Sequence, residues 1–122
     1  MLLIKNYLTA ASVAAYTIVK PGGVDFTIVP AAAAGDKVFG VTTDVDAATG
    51  ERADVIHLGE AKVVAGAAFA AGDQLMSDAS GRAITAAAAA GANVRTVGYA
   101  RQSANALGDI VEINVQPGVF QG

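Results

Sequence analysis

The chain has no cysteine, no tryptophan and one histidine, and only 16% of its 122 positions are charged. Without cysteine it builds neither a disulfide framework nor a thiolate site, and the redox compartment is left open. A nucleophile needs a base and a group to orient it. With His57 the sole imidazole, Ser12, Ser77, Ser80 and Ser103 have no such set, and a lone histidine on a strand reads as a packed or surface residue. No clustered carboxylates, dinucleotide fingerprint or phosphate loop are present, so the expectation is no enzyme, cofactor or small-molecule substrate. Lys5, Lys20, Lys37, Lys62, Arg52, Arg82, Arg95 and Arg101 are scattered singly, which argues against a protein that tracks nucleic-acid phosphates. The longest Ala/Val-rich stretch, Val63 to Ala71, is about half a membrane span and contains Gly66. At the N-terminus the basic residue follows the apolar run Met1-Leu2-Leu3-Ile4, the reverse of a secretory signal.

What the chain does have is small apolar residues. Hydrophobic positions make up 53%, mostly Ala and Val, with four Phe, three Tyr and 14 Gly. The length is that of one domain. Side chains this small make a thin core, and stability then gains from a neighbour, either further copies of the chain or a larger body.

One phrase recurs three times: Ala33-Ala34-Gly35-Asp36-Lys37-Val38, Ala70-Ala71-Gly72-Asp73-Gln74-Leu75 and Ala106-Leu107-Gly108-Asp109-Ile110-Val111. Gly tolerates positive φ and Asp hydrogen-bonds nearby backbone, so each pair predicts a tight turn feeding a strand. Two-residue periodicity marks Asp25 to Val29, with Phe26 and Ile28 sharing a face. It also marks Ile110 to Gln116, with Val111, Ile113 and Val115 on one face. Further strands are expected over Val13 to Lys20, Lys37 to Thr43, Asp54 to Val64, Gln74 to Ser77 and Val94 to Gln102. Pro21-Gly22-Gly23, Thr49-Gly50, Ser80-Gly81 and Gly91 punctuate them. The fold class is all-β, a small Gly/Ala-rich sandwich or barrel of short strands. Helix is limited to short turns near residues 31–34 and 86–91.

The most polar segment runs from Asp44 to Arg52. Asp44 and Asp46 have the opening spacing of a calcium loop, but Ala48 occupies the third ligand position and Thr49 stands where the sharp turn needs Gly. It reads as a solvated hairpin loop, and no metal is expected.

The order of these residues resembles the capsid cement, or head decoration, proteins of tailed bacteriophages. The likeness runs through Lys5-Asn6-Tyr7, Ala15-Tyr16-Thr17-Ile18-Val19-Lys20, Gly40-Val41-Thr42 and Gly59-Glu60-Ala61-Lys62-Val63. It continues in Asp78-Ala79-Ser80-Gly81-Arg82-Ala83, Val97-Gly98-Tyr99-Ala100, Gly108-Asp109-Ile110-Val111 and Pro117-Gly118, so that essentially the whole chain is covered. The resemblance implies a β-tulip-like fold and a structural virion protein. Such a protein is made in the bacterial host cytoplasm and binds the outside of the assembled capsid, with the major capsid protein as partner. It further implies a homotrimer at local three-fold sites, with no active site. Residues 13–122 would form the single β domain. Residues 1–12 read equally as an N-terminal arm or as an edge strand of the domain's own sheet. Within them Leu2, Leu3, Ile4, Lys5, Asn6 and Tyr7 are the candidate capsid-binding residues, fit to pair with an exposed strand edge. The alternatives are a lipoyl- or biotin-carrier-like β domain, with Lys62 or Lys37 as the modified residue, or another phage structural or fibre-base module. Neither lysine stands in the tip sequence that carriers use.

Overall fold

The computed structural model describes residues 2–33, 36–87, 90–91 and 93–121, with Phe120 and Gln121 given by backbone alone. Nine strands follow one another: β1 (Leu3–Thr9), β2 (Ile18–Pro21), β3 (Thr27–Pro30), β4 (Gly40–Thr42), β5 (Arg52–Val64), β6 (Gln74–Ser77), β7 (Ala83–Thr85), β8 (Asn93–Ala100) and β9 (Ile110–Gln121). The protein is all-β, with no helix among the described residues. Of the two segments expected to hold short helical turns, Ala34, Ala88 and Ala89 lie outside the described residues.

The first five strands close on themselves. Their order is β1-β3-β2-β4-β5, and β1 pairs back onto β5, giving a five-stranded mixed barrel in which only β1–β3 is parallel. The 13-residue β5 then outruns the barrel. Its first half pairs with β1 and β4, and its second half, Gly59 to Val64, pairs with Val115 to Ile110 of β9. The remaining strands continue outward in the order β9-β8-β6-β7.

This arrangement explains the adjacent apolar pairs in β2 and β5. Successive strand residues face opposite ways. Val19 and Val55 enter one core with Val13, Ile28, Ala47 and Ala53, inside the barrel. Ile18 and Ile56 enter a larger one with Leu75, Val97, Phe69, Val111, Ile113 and Val115. Both strands are thus buried on two faces, the setting in which alternation gives way to apolar runs. The buried hydroxyls are satisfied locally: Thr9 Oγ1 donates to the Ala48 and Glu51 carbonyls at 2.8 Å each, and Thr42 Oγ1 to Ala14 at 2.9 Å.

The Asp of each Gly-Asp phrase makes the same kind of hydrogen bonds to the backbone before it. The Asp amide donates to the residue three back, Ala33, Ala70 or Ala106, at 3.2, 3.2 and 3.3 Å. The Asp carboxylate then accepts from backbone N–H groups before it: Ala32 and Ala33 for Asp36, Ala70 for Asp73, Asn105 and Ala106 for Asp109. Gly72 and Gly108 have φ of +92° and +95°, the conformation these turns require at that position. A fourth copy, Ala48 to Glu51, uses glutamate: Glu51 N–H donates to Ala48 at 3.0 Å and its Oε1 accepts from the Ala48 amide at 2.7 Å. Three of these turns clasp a residue at a strand end through two backbone bonds. Gly50 and Glu51 hold Thr9, Gly72 and Asp73 hold Ala100, and Gly108 and Asp109 hold Ala65. The barrel and the outer strands therefore share one loop plan.

Several expected strands are shorter than the sequence suggests: Lys37 to Thr43 narrows to Gly40–Thr42, and Val94 to Gln102 ends at Ala100. In Val13 to Lys20 only Ile18 onward is strand, because Tyr16 takes φ +57° and breaks the run. Phe26 does not share a buried face with Ile28. It sits at φ +63° in the turn before β3 and is 81% exposed.

Candidate interaction surface

The N-terminal residues form β1, which pairs with β5 from Leu3↔Leu58 to Leu8↔Arg52. It departs from an ordinary half-buried strand. Leu2, Leu3, Ile4, Lys5, Asn6 and Leu8 are all exposed, Tyr7 is half-buried, and only Thr9 is buried. Leu3 and Ile4 are 42% and 44% exposed, so β1 leaves apolar surface uncovered, and its register with β5 shifts between these two residues. On its β3 side β1 is paired only at Leu8 and Thr9, so the edge from Leu3 to Tyr7 is open there among the described residues.

Of the six candidate residues, Leu3, Lys5, Asn6 and Tyr7 line one shallow depression of about 380 Å³ together with Phe26 and His57. Leu2 lies instead beside Glu60, Arg101 and Asn114. Ile4 stands opposite Ile56 in the β1–β5 register. Asn6 is fixed by polar partners: its Nδ2 donates to Asp54 Oδ1 at 3.0 Å and its Oδ1 accepts from Arg52 Nη1 at 3.1 Å.

Two rings that line the depression, Tyr7 and His57, pack together with Phe39. The Tyr7, Phe39 and His57 rings are mutually 5.4 to 5.6 Å apart at tilted angles, the spacing favoured by ring quadrupoles. Tyr7 Oη is 2.7 Å from His57 Nε2. Burial raises the Tyr7 pKa and lowers that of His57. For His57 a hydrogen bond to the Phe39 backbone opposes the burial effect, and the Lys5 charge adds to it.

Sequence reasoning missed the most exposed aromatic among the described residues. The β2–β3 turn continues past Gly22-Gly23 as Val24 to Thr27, closed by Thr27 N–H to Val24 O at 3.2 Å. It presents Val24 at 72% and Phe26 at 81% exposure. The Phe26 carbonyl accepts from Leu8 N–H at 3.3 Å, which holds the turn against β1. The available signal was turn chemistry: Gly22, Gly23 and Asp25 before Phe26 extend the turn at the expense of the strand.

The other singled-out residues have structural places. Asp46 Oδ1 accepts from the Ala15 amide at 2.7 Å, and no cluster of three His, Asp or Glu side chains suited to a metal occurs among the described residues. Lys62 lies within β5 opposite Glu112, two residues before its end and not at a hairpin tip, and Lys37 follows directly on Asp36 of the first turn.

Exposed apolar side chains on a barrel strand suit a protein that works by surface contact. The sequence matches the family described as phage cement protein over residues 4–116, and the chain belongs to that family. It is accordingly a non-enzymatic, capsid-associated structural protein of phage virions. The fold is similar to that in the crystal structure of the head fiber gp8.5 N base in bacteriophage phi29, with a TM-score of 0.70, 23% sequence identity and 95% of each chain covered. No curated protein matches the sequence.

Proposed function

We propose that the protein binds the outer surface of the assembled capsid as a homotrimer at local three-fold sites, with β1 and the Phe26 turn facing the major capsid protein. One observation carries this reading: β1 exposes Leu3 and Ile4, and Leu3 shares a surface depression with the outward-held Phe26. Apolar surface concentrated on a rigid strand with an open edge suits a partner that covers it. Three linked contacts multiply a modest affinity per protomer. Binding only the assembled shell stabilises it by mass action, and the effect accumulates over many sites. The likeness to a head-fibre base supports a second reading in which the domain seats a fibre, and this too puts it against a capsid.

The test is a heat challenge of undecorated capsids mixed with wild-type protein or with Leu3→Ser/Ile4→Ser. Substitution is preferred to deletion, because removing β1 opens the barrel seam. Wild type is expected to raise the temperature of capsid disruption and the variant to fail while remaining folded. Equal protection by both removes β1 from the contact. No protection by either removes the cement role itself.

A further inference from the structure

Between the pre-β4 segment and the β8–β9 ribbon runs an open groove of about 460 Å³. Val38, Phe39, Pro117 and the 54% exposed Val119 give it an apolar lining, with Lys37 and Arg95 beside them. Neither cation is in a salt bridge among the described residues, where the ion pairs are Lys20–Asp36, Arg82–Asp78 and Arg101–Glu60. Asp36, next to Lys37, is already committed to Lys20 at 3.1 Å and to the Ala32 and Ala33 amides. In a chain of net charge −3, two uncommitted cations on an apolar groove are a place for a segment of opposite charge.

The chain carries such a segment. After β4 comes Asp44-Val45-Asp46, all three exposed, with Val45 at 63%. The Asp46 hydrogen bond to Ala15 holds the loop in shape, and neither aspartate is in a salt bridge among the described residues. An apolar side chain between two carboxylates matches an apolar groove between two cations.

We propose that copies of this chain associate head to tail, the Asp44-Val45-Asp46 loop of one seated in the Lys37/Arg95 groove of the next. The proposal rests on the homotrimer reading above and names its contact. The groove borders the start of β4 and the loop follows its end, so β4 stands between the two halves of the contact within one molecule. A head-to-tail contact repeats through a rotation and gives a closed ring when that rotation closes, after three copies in the homotrimer reading.

Sedimentation at low and moderate salt tests it, using wild type, a loop variant (Asp44→Lys/Val45→Ser, which spares the Asp46 bond) and a groove variant (Lys37→Glu/Arg95→Glu). Wild type should form a trimer that weakens as salt rises, and each variant alone should associate at least about tenfold more weakly. The loop variant keeps a native groove and the groove variant a native loop. Their equimolar mixture should therefore form a one-to-one pair that neither forms alone. Variants that trimerise like wild type would leave the trimer standing and move its contact elsewhere, and a mixture that stays monomeric would overturn the head-to-tail geometry. A wild type that is monomeric throughout would take the trimer reading down with it. Intact trimers that lose only capsid binding would assign the groove to an acidic capsid segment and overturn the proposal.

Discussion

Tyr7 Oη lies 2.7 Å from His57 Nε2, so a side-chain hydrogen bond joins β1 to β5 where the barrel closes. It is part-buried, whereas the other side-chain bonds between these two strands, from Asn6 to Asp54 and Arg52, are exposed.

That part-buried bond predicts a pH dependence. The His57 pKa is lowered in the folded protein, chiefly by burial, with Lys5 nearby. Between that lowered value and the ordinary 6.5 the unfolded chain holds more protons, so stability falls as pH drops through this window and is fully present above it. Thermal unfolding of wild type should lose more between pH 7.5 and pH 5 than that of His57→Gln. Parallel curves for the two proteins would show that His57 does not titrate with folding.

The repeated turn predicts a set of matched losses. Removing the Asp109 carboxylate frees the Asn105 and Ala106 amides, and Asp73→Ala frees that of Ala70. Each variant should cost about 1 kcal/mol in urea unfolding, the usual worth of a carboxylate that caps backbone N–H groups. A loss below a few tenths for both would mean the turns hold through their backbone bonds alone.

Close approach of two strands predicts a larger effect at Gly98. A Cβ there would lie 1.9 Å from the Asn114 carbonyl oxygen, and φ is +153°. Neither the backbone conformation nor the β8–β9 spacing accommodates it, so Gly98→Ala should destabilise by roughly 2–4 kcal/mol. Gly23→Ala is the control, with nothing within 4 Å of its Cβ, and should stay within about 0.5 kcal/mol of wild type. Similar values for the two would refute the packing argument.

Much of this architecture is legible in the chain because it is local. Gln74 to Ser77 is a strand with the expected bounds, and Val111, Ile113 and Val115 are buried in alternation as their period requires. The three Gly-Asp turns follow from what Gly and Asp do to nearby backbone. The fourth was hidden because Glu51 reaches the same amide with one more methylene. Barrel closure was not legible, since β1 and β5 meet across about 50 residues and nothing local chooses between an arm and a strand for Leu3 to Thr9. The two-core arrangement was equally out of reach: Ile18-Val19 and Val55-Ile56 look like plain apolar pairs until each residue is assigned its own core. Phe26 was misplaced because an alternating pattern outweighed the turn residues before it, and only its left-handed backbone sends the ring outward.

Phe26 therefore offers the sharpest separation of fold from function. A non-glycine residue in the left-handed region costs of order 1 kcal/mol, and a phenylalanine 81% exposed recovers little of that from packing in the free protein. Asparagine tolerates this conformation better. Phe26→Asn should leave the melting temperature unchanged or raised. If the ring is the apolar anchor that the capsid covers, the same change should weaken capsid binding by about tenfold or more, the range of an aromatic interface anchor. Cosedimentation with undecorated capsids, run beside thermal unfolding, measures both quantities on one preparation. A variant that is as stable as wild type and binds as well would remove Phe26 from the contact and leave its strained backbone without a functional account.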